Sequence, residues 1–405
     1  MRLIIHKGSH QIGGSCVEIK DENTRLLFDY GLPLEDDVVP ENAKLDIKGL
    51  YKDEQPQIDA IFITHSHPDH YGLLKLINPK IPVYTGKITK NIMQKVSAVK
   101  GDEDFLELNI TTIDKEIQIG DFTVIPHEVD HSASGGFAFE ILYKDKKILY
   151  TGDLRFHGRV AYLSKKLSKI KDVDYLIVEG STLGRPDTKI KTEEDVFEEM
   201  TEVFKTDKLT LVTFSSQNLD RFITVYKACL KNKKTLVIDP YTCFCLENFK
   251  DLSANIPQWD WNNIKVYFGG GTATQNLADS GKLYTYKSKK ISVEEILSHP
   301  EKYVVKTAGA ITTKILAQYD LDKILYIYSM WLGYLENPSY LAPLKNRHIY
   351  IHTSGHAYAS DLQDFVKKLS PKTIIPIHTE HPEMYSALYD TPIEFLKDGE
   401  ELYLI

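Results

Sequence analysis

The sequence predicts an α/β protein: an αβ/βα core of short strands, interrupted by an inserted α/β domain. Three observations lead there. Short strand-like runs separated by tight turns dominate the first 150 residues. The middle of the chain then alternates strand and helix signals, the pattern of a parallel sheet. The end returns to two strands around one helix.

The early strand-like runs are Ser15 to Ile19, Leu26 to Asp29, Ala60 to Thr64, Val83 to Thr85, Phe122 to Pro126, Gly136 to Ile141 and Lys147 to Tyr150. Gly8, Gly13 and Gly14 mark one turn between them and Asp145 another. Tyr71 to Ile77 and Ile88 to Val99 read as helices. Thr192 to Phe204 reads as a further helix, with Thr192 as N-cap and Glu193, Glu194 and Asp195 in the first turn, where the helix dipole favours acids. Leu209 to Phe214 is a strand, Asn218 to Leu230 a helix and Lys234 to Ile238 a strand; Ile264 to Phe268, Tyr303 to Lys306 and Lys323 to Tyr328 continue the strand series. Arg347 to His352 and Thr373 to His378 then enclose the helix Ser360 to Leu369. The expected division is 1–184 for the first part of the core, 185–345 for the insert and 346–405 for the core's final part.

Bulk composition narrows the function classes. A chain of 405 residues holds one large domain or two ordinary ones. With 49 Lys plus Arg against 57 Asp plus Glu, the net charge is −8. Dedicated nucleic-acid binders are usually basic, so this balance argues against wrapping duplex DNA. It leaves a nuclease open, because a local groove decides binding there. The apolar runs are too short to cross a bilayer, so no membrane partner is expected. The start, Met1-Arg-Leu-Ile-Ile-His, lacks the apolar stretch of a signal peptide. Cys16, Cys229, Cys243 and Cys245 show no disulfide spacing and fit reduced thiols in a cytoplasmic protein.

The chemistry concentrates at Thr64-His-Ser-His-Pro-Asp-His70, just after the apolar run Ile58 to Ile63. His65, His67, Asp69 and His70 put three imidazoles and a carboxylate on one strand-end loop. These are the preferred ligand types of zinc and similar cations, and burying them without a cation would be costly. Further candidates stand at other strand ends: Asp29 after Leu26-Leu-Phe, His131 in Val-Asp-His-Ser, Asp153 in Tyr-Thr-Gly-Asp and His378 in Ile-Pro-Ile-His. One such residue is weak evidence. Several are stronger, since strand ends on one sheet edge converge in space.

The His-x-His-x-Asp-His segment, with Asp29, His131, Asp153 and His378 in order, resembles the metallo-β-lactamase fold. Glu179 in Leu-Ile-Val-Glu-Gly-Ser-Thr, His356 in His-Thr-Ser-Gly-His and His378 in Pro-Ile-His-Thr-Glu resemble the β-CASP branch, close in pattern to ribonuclease J and related RNA exonucleases. The resemblance implies an inserted β-CASP domain and two divalent ions, zinc first and manganese second. It implies His65, His67 and His131 on one ion, Asp69, His70 and His378 on the other, and Asp153 bridging. Asp29 would orient the ligand loop. His356, steered by Glu179, would protonate the leaving 3′ oxygen. The implied activity is hydrolysis of single-stranded RNA, read as a 5′-end-directed exonuclease with endonuclease action in view. A homodimer stays open.

Substrate contacts are less defined. Phe214-Ser-Ser-Gln-Asn-Leu-Asp-Arg runs from strand to helix, so Ser215, Ser216 and Arg221 form a candidate phosphate cradle; helix capping with a surface Arg explains the same pattern. Ser354 and Gly355 resemble the step lining the scissile-phosphate pocket. Trp331 and its neighbouring tyrosines can stack a base or simply pack. The alternatives are a metallohydrolase of a small ester or nucleotide-derived phosphodiester, and a binding subunit without catalysis. The insert and the Glu179/His356 pair speak against the first, and the complete ligand set against the second.

Overall fold

The computed structural model describes residues 1–34, 39, 43–185, 191–335 and 339–404. They form two compact units: Met1–Lys95 with Glu103–Ile190 and Gly355–Ile405, and Val96–Asp102 with Lys191–Ser354.

The first unit contains two sheets. One runs in the spatial order Glu401–Tyr403, Arg2–Lys7, Cys16–Lys20, Arg25–Phe28, Ala60–Phe62, Val83–Thr85, Ile110–Thr112. The other runs Thr373–Ile377, Tyr175–Glu179, Lys146–Tyr150, Gly136–Tyr143, Phe122–Val129, Ile117–Ile119. Strand side chains alternate between faces, and this period sorts the core. Leu26, Phe28, Ala60 and Phe62 meet Phe139, Ile141, Ile148 and Tyr150 in one buried cluster between the sheets. Phe28 stacks on Phe62 with ring centroids 5.2 Å apart. The intervening Leu27 and Ile61 turn outward onto Tyr71, Leu74, Met93 and Phe105. On the second sheet Leu149, Leu176 and Val178 turn onto Leu362, Phe365 and Val366 of the helix Ala359–Leu369. Helical layers thus cover both outer faces, the αβ/βα sandwich expected. Each fully buried large side chain contributes about 1.5–3 kcal/mol.

Two helices differ from expectation. The segment read as a helix over Tyr71 to Ile77 is a helical turn at Pro68–Tyr71 and a 3₁₀ turn at Leu74–Leu76. Proline tolerates the first helical position because its missing N–H needs no partner there. The helix therefore begins inside the His-rich segment and carries Asp69 and His70. The segment Ile88 to Val99 starts as a helix at Lys87–Asn91, widens into a π turn at Ile92–Val96 and closes at Ser97–Val99.

The second unit has one six-stranded sheet, all parallel, in the order Ile264–Val266, Thr235–Ile238, Tyr303–Lys306, Leu209–Thr213, Ile324–Tyr328, His348–Tyr350. The sheet thus continues past residue 345, the expected end of the insert, and the contact boundary falls between Ser354 and Gly355. Leu209, Leu211, Val305 and Tyr326 are part of its core. Thr192 caps the helix Glu193–Val203, as read from sequence, and the structure adds a reciprocal capping box with Asp195. All four cysteines are buried and free. No helix among the described residues is long and apolar enough to cross a membrane.

Candidate metal centre

The candidate residues of the first unit collect at the carboxyl ends of its strands. Asp29 follows Arg25–Phe28, His65 follows Ala60–Phe62, His131 follows Phe122–Val129, Asp153 follows Lys146–Tyr150, Glu179 ends Tyr175–Glu179 and His378 follows Thr373–Ile377. Tyr30 N–H donates to His70 O (2.8 Å) and Ser15 N–H to Asp69 O (3.2 Å), which tie the Pro68 turn to the first sheet. Gly31 makes that approach feasible: a Cβ built on it would lie 1.6 Å from Asp69 O.

Two donor sets result. Atoms of His65, His67, His131 and Asp153 lie within 4.8 Å of one another, as do those of Asp69, His70, Asp153 and His378. Asp153 belongs to both. Its Oδ2 is 3.1 Å from His70 Nε2 and 3.7 Å from His65 Nε2 and from His378 Nε2. His131 Nε2 faces His67 Nδ1 at 3.0 Å. Nε2 of His65, His70 and His378 and both Asp153 oxygens are buried with no hydrogen-bond partner among the described residues. Each such orphan costs about 1–3 kcal/mol. Lone pairs aimed at common points, in an imidazole and carboxylate set, fit divalent cations.

The electrostatics agree. Burial, then neighbouring imidazoles, hold His65, His131 and His378 well below the ordinary histidine range, so their lone pairs are available. Burial is the main cause holding His67 at about 4. His70 differs: burial opposes its charge, but Asp153, Asp29 and Asp69 outweigh it and raise it.

A further ring of side chains orients these donors. Asp29 Oδ1 accepts from Thr64 N–H (2.8 Å), and its Oδ2 accepts from Tyr150 OH (2.7 Å) and His70 Nδ1–H (2.8 Å). An ionised carboxylate only accepts, so the proton sits on Nδ1 and Nε2 turns to the centre. His65 Nδ1 lies 3.0 Å from Thr64 Oγ1, and His378 Nδ1 2.8 Å from Ser15 Oγ. Asp29 and His378 hold left-handed backbone (φ 59° and 53°), which Asp and His adopt more readily than most residues. Sequence reasoning singled out Asp29 but missed Thr64, Tyr150 and Ser15. Only their adjacency to a glycine turn, a ligand or a strand end marked them.

Beside the centre, His356 Nδ1 lies 2.9 Å from Glu179 Oε2 and 3.6 Å from Asp153 Oδ2. Glu179 Oε1 accepts from Leu154 N–H (2.8 Å), which fixes the carboxylate. Burial disfavours the imidazolium, but Glu179 and Asp153 outweigh it and raise His356 to about 9. Gly355 packs on the same wall, where an added Cβ would come within 2.5 Å of Ser132 Oγ.

The candidate phosphate residues do not act together. Arg221 is fully buried in the second unit, its guanidinium held by Glu193 (2.9 Å) and by Ser329 O (2.9 Å). That commitment leaves it no exposed face for a phosphate. The helix Leu219–Lys231 is capped by Asn218, while Ser216 Oγ meets Thr242 Oγ1 at 2.8 Å and Ser215 is half-buried. Ser354 is also half-buried, at the end of the second unit.

Comparison with known proteins adds the following. The metallo-beta-lactamase superfamily profile matches residues 11–195, and the profile of the Zn-dependent metallo-hydrolase RNA specificity domain matches residues 342–387. The chain is 22% identical to Ribonuclease J of Mycoplasma genitalium, over 98% of this chain and 72% of that protein. It is 22% identical to the RNase J-like protein of Methanocaldococcus jannaschii, over 95% of this chain and 94% of that one. A solved protein of unknown function from Enterococcus faecalis V583 shares the fold, with a TM-score of 0.80 and 22% identity over 100% of this chain and 99% of that chain.

Proposed function

The chain belongs to the metallo-beta-lactamase superfamily, and from that premise we propose that it is a metal-dependent ribonuclease hydrolysing phosphodiester bonds of single-stranded RNA. The observation that carries this reading is the sharing of Asp153 by two buried donor sets, beside a His–Glu pair able to deliver a proton. His65, His67 and His131 would hold one cation and Asp69, His70 and His378 a second, with Asp153 common to both. Imidazole-rich donors suit zinc, and the carboxylates admit manganese. Divalent cations bound there would lower the pKa of water and offset charge on the phosphodiester.

The chain's own side chains do the rest. Asp29, Thr64, Tyr150 and Ser15 hold the donor rings in place. Glu179 accepts from His356 Nδ1, which leaves Nε2 to protonate the departing 3′ oxygen. RNA is favoured over a small ester because the RNA-specificity match spans both His356 and His378. The second unit is taken as the β-CASP insert. Four buried free thiols support a reducing compartment such as the cytoplasm.

The test offers the purified chain 5′-monophosphorylated, 5′-triphosphorylated and circular RNA, with matched single-stranded DNA. We expect stepwise shortening of the 5′-monophosphorylated RNA, lost in Asp69→Ala and in chelator-treated protein. Cleavage of circles would assign internal cutting. Undiminished hydrolysis after metal stripping would overturn the mechanism, and inertness toward every polymer would transfer the reading to a small phosphodiester.

A further inference from the structure

We propose that Asp130 and Arg155 are positioning residues for the first donor set: their buried ion pair aims His131 at the point it shares with His65, His67 and Asp153. The inference rests on the metal reading of the centre. Asp130 immediately precedes His131, and Arg155 closely follows Asp153. Both lie fully buried in the first unit, where Arg155 Nε donates to Asp130 Oδ1 at 3.1 Å. Stability alone does not call for an ion pair here, since apolar residues of similar volume often replace a buried pair without loss.

His131 needs such support because its ring has no anchor of its own. Nδ1 of His65, His70 and His378 meets Thr64, Asp29 and Ser15 in turn. His131 Nδ1 is buried with no hydrogen-bond partner among the described residues. Its Nε2 faces members of its own set, His67 Nδ1 at 3.0 Å and Asp153 Oδ2 at 3.9 Å. A donor ring without an orienting hydrogen bond takes its direction from the packing and backbone that carry it.

That backbone is clasped through Asp130. Asp130 N–H donates to Ser164 Oγ (2.8 Å), and Asp130 O accepts from Arg155 N–H (2.7 Å). The carboxylate takes Arg155 Nε–H on Oδ1 and Gly158 N–H on Oδ2 (2.9 Å). Only glycine allows this closure, because a Cβ on Gly158 would lie 2.5 Å from Arg155 Nε and from Asp130 Oδ1. Asp153, by contrast, is bracketed without the pair: Thr151 N–H donates to Ile177 O (3.0 Å) and Leu154 N–H to Glu179 Oε1 (2.8 Å). Removing the pair should therefore loosen His131 and leave Asp69, His70, Asp153 and His378 in place.

The probe is Zn²⁺, titrated into chelator-stripped full chain against a chromophoric chelator, in two backgrounds. His378→Ala leaves the first donor set to report, and His131→Ala leaves the second. Asp130→Asn/Arg155→Met removes both charges together. In the His378→Ala background it should weaken Zn²⁺ binding about 10–100-fold. In the His131→Ala background it should change affinity by no more than about twofold. The thermal midpoint of the stripped chain should stay near that of the parent. Ser164→Ala removes no charge and should weaken the first set in the same direction to a lesser degree. Equal weakening in both backgrounds, which a purely structural pair would give, overturns the proposal, as does unchanged affinity of the first set. If the double variant does not fold, Ser164→Ala decides by the same comparison. A parent chain that binds neither Zn²⁺ nor Mn²⁺ would instead overturn the metal reading itself.

Discussion

His356 is the clearest single residue at which placement becomes chemistry. It is held by one carboxylate on Nδ1 and stands beside the shared Asp153. Removing a positioned proton donor costs about 10²–10⁴-fold in rate. His356→Ala should therefore slow single-turnover RNA cleavage by that order and change RNA binding far less; equal losses in both would remove it as the proton donor. Tyr150 acts one step further back. Its hydroxyl is one of three donors to Asp29 Oδ2 among the described residues, with Thr64 Oγ1 and His70 Nδ1. Tyr150→Phe keeps the buried ring and should lower cation affinity about 10–100-fold, read by competition with a chromophoric chelator. Unchanged affinity would mean that Thr64 and His70 alone hold Asp29. The gathering of these donors was legible in the sequence because imidazoles and carboxylates repeat at strand ends. Tyr150 and Ser15 were not, because a tyrosine closing a strand and a serine in a glycine turn look like packing until the fold brings them to Asp29 and His378.

Between elements, the helices Glu193–Val203 and Leu219–Lys231 are joined by the buried Arg221–Glu193 pair. Breaking such a pair from one side leaves an uncompensated charge and costs about 3–5 kcal/mol. Arg221→Ala should therefore lower the urea midpoint of unfolding, and Glu193→Gln/Arg221→Met should recover part of it. A variant as stable as the parent but weak in RNA binding would restore the phosphate role. The Phe214-to-Arg221 segment shows why sequence spacing misleads here: it fixes an arginine on the first helical turn, but not the helix face buried against Glu193. Thr192 was readable because a capping box is local. The π turn at Ile92–Val96 was not, since nothing in its apolar spacing departs from an ordinary helix. In the first sheet Glu18 sits fully buried between His6 and Arg25. Burial pushes its carboxyl up, yet the hydrogen bonds from His6 and Arg25 outweigh that and hold it at about 2. A carboxyl lowered in the folded state stabilises above its unfolded pKa and loses that contribution as pH falls through the folded value. The stability difference between the parent and Glu18→Gln should therefore shrink by about 2 kcal/mol between pH 7 and pH 3. A difference independent of pH would refute the assignment.

At the scale of the whole molecule, the donors of the first unit come from chain segments far apart in sequence, so cation binding and folding are linked. A cation present at about 100 times its dissociation constant adds about 2.7 kcal/mol. Chelator should therefore lower the thermal midpoint of the parent but leave Asp153→Asn nearly unmoved; equal shifts in both would place the stabilising ion elsewhere. The αβ/βα arrangement was legible because period-two alternation assigns Leu26 and Phe28 to one face and Leu27 to the other. The reach of the parallel sheet to His348–Tyr350 was not, since a short strand does not announce which sheet it joins. The common role of Asp153 has a consequence for the order of synthesis. His65, His67, His131 and Asp153 have all emerged before the second unit's main segment is made, whereas the other set waits for His378, after that segment is finished. A nascent chain can thus bring the first donor set together before that segment is made, and the second set only after it.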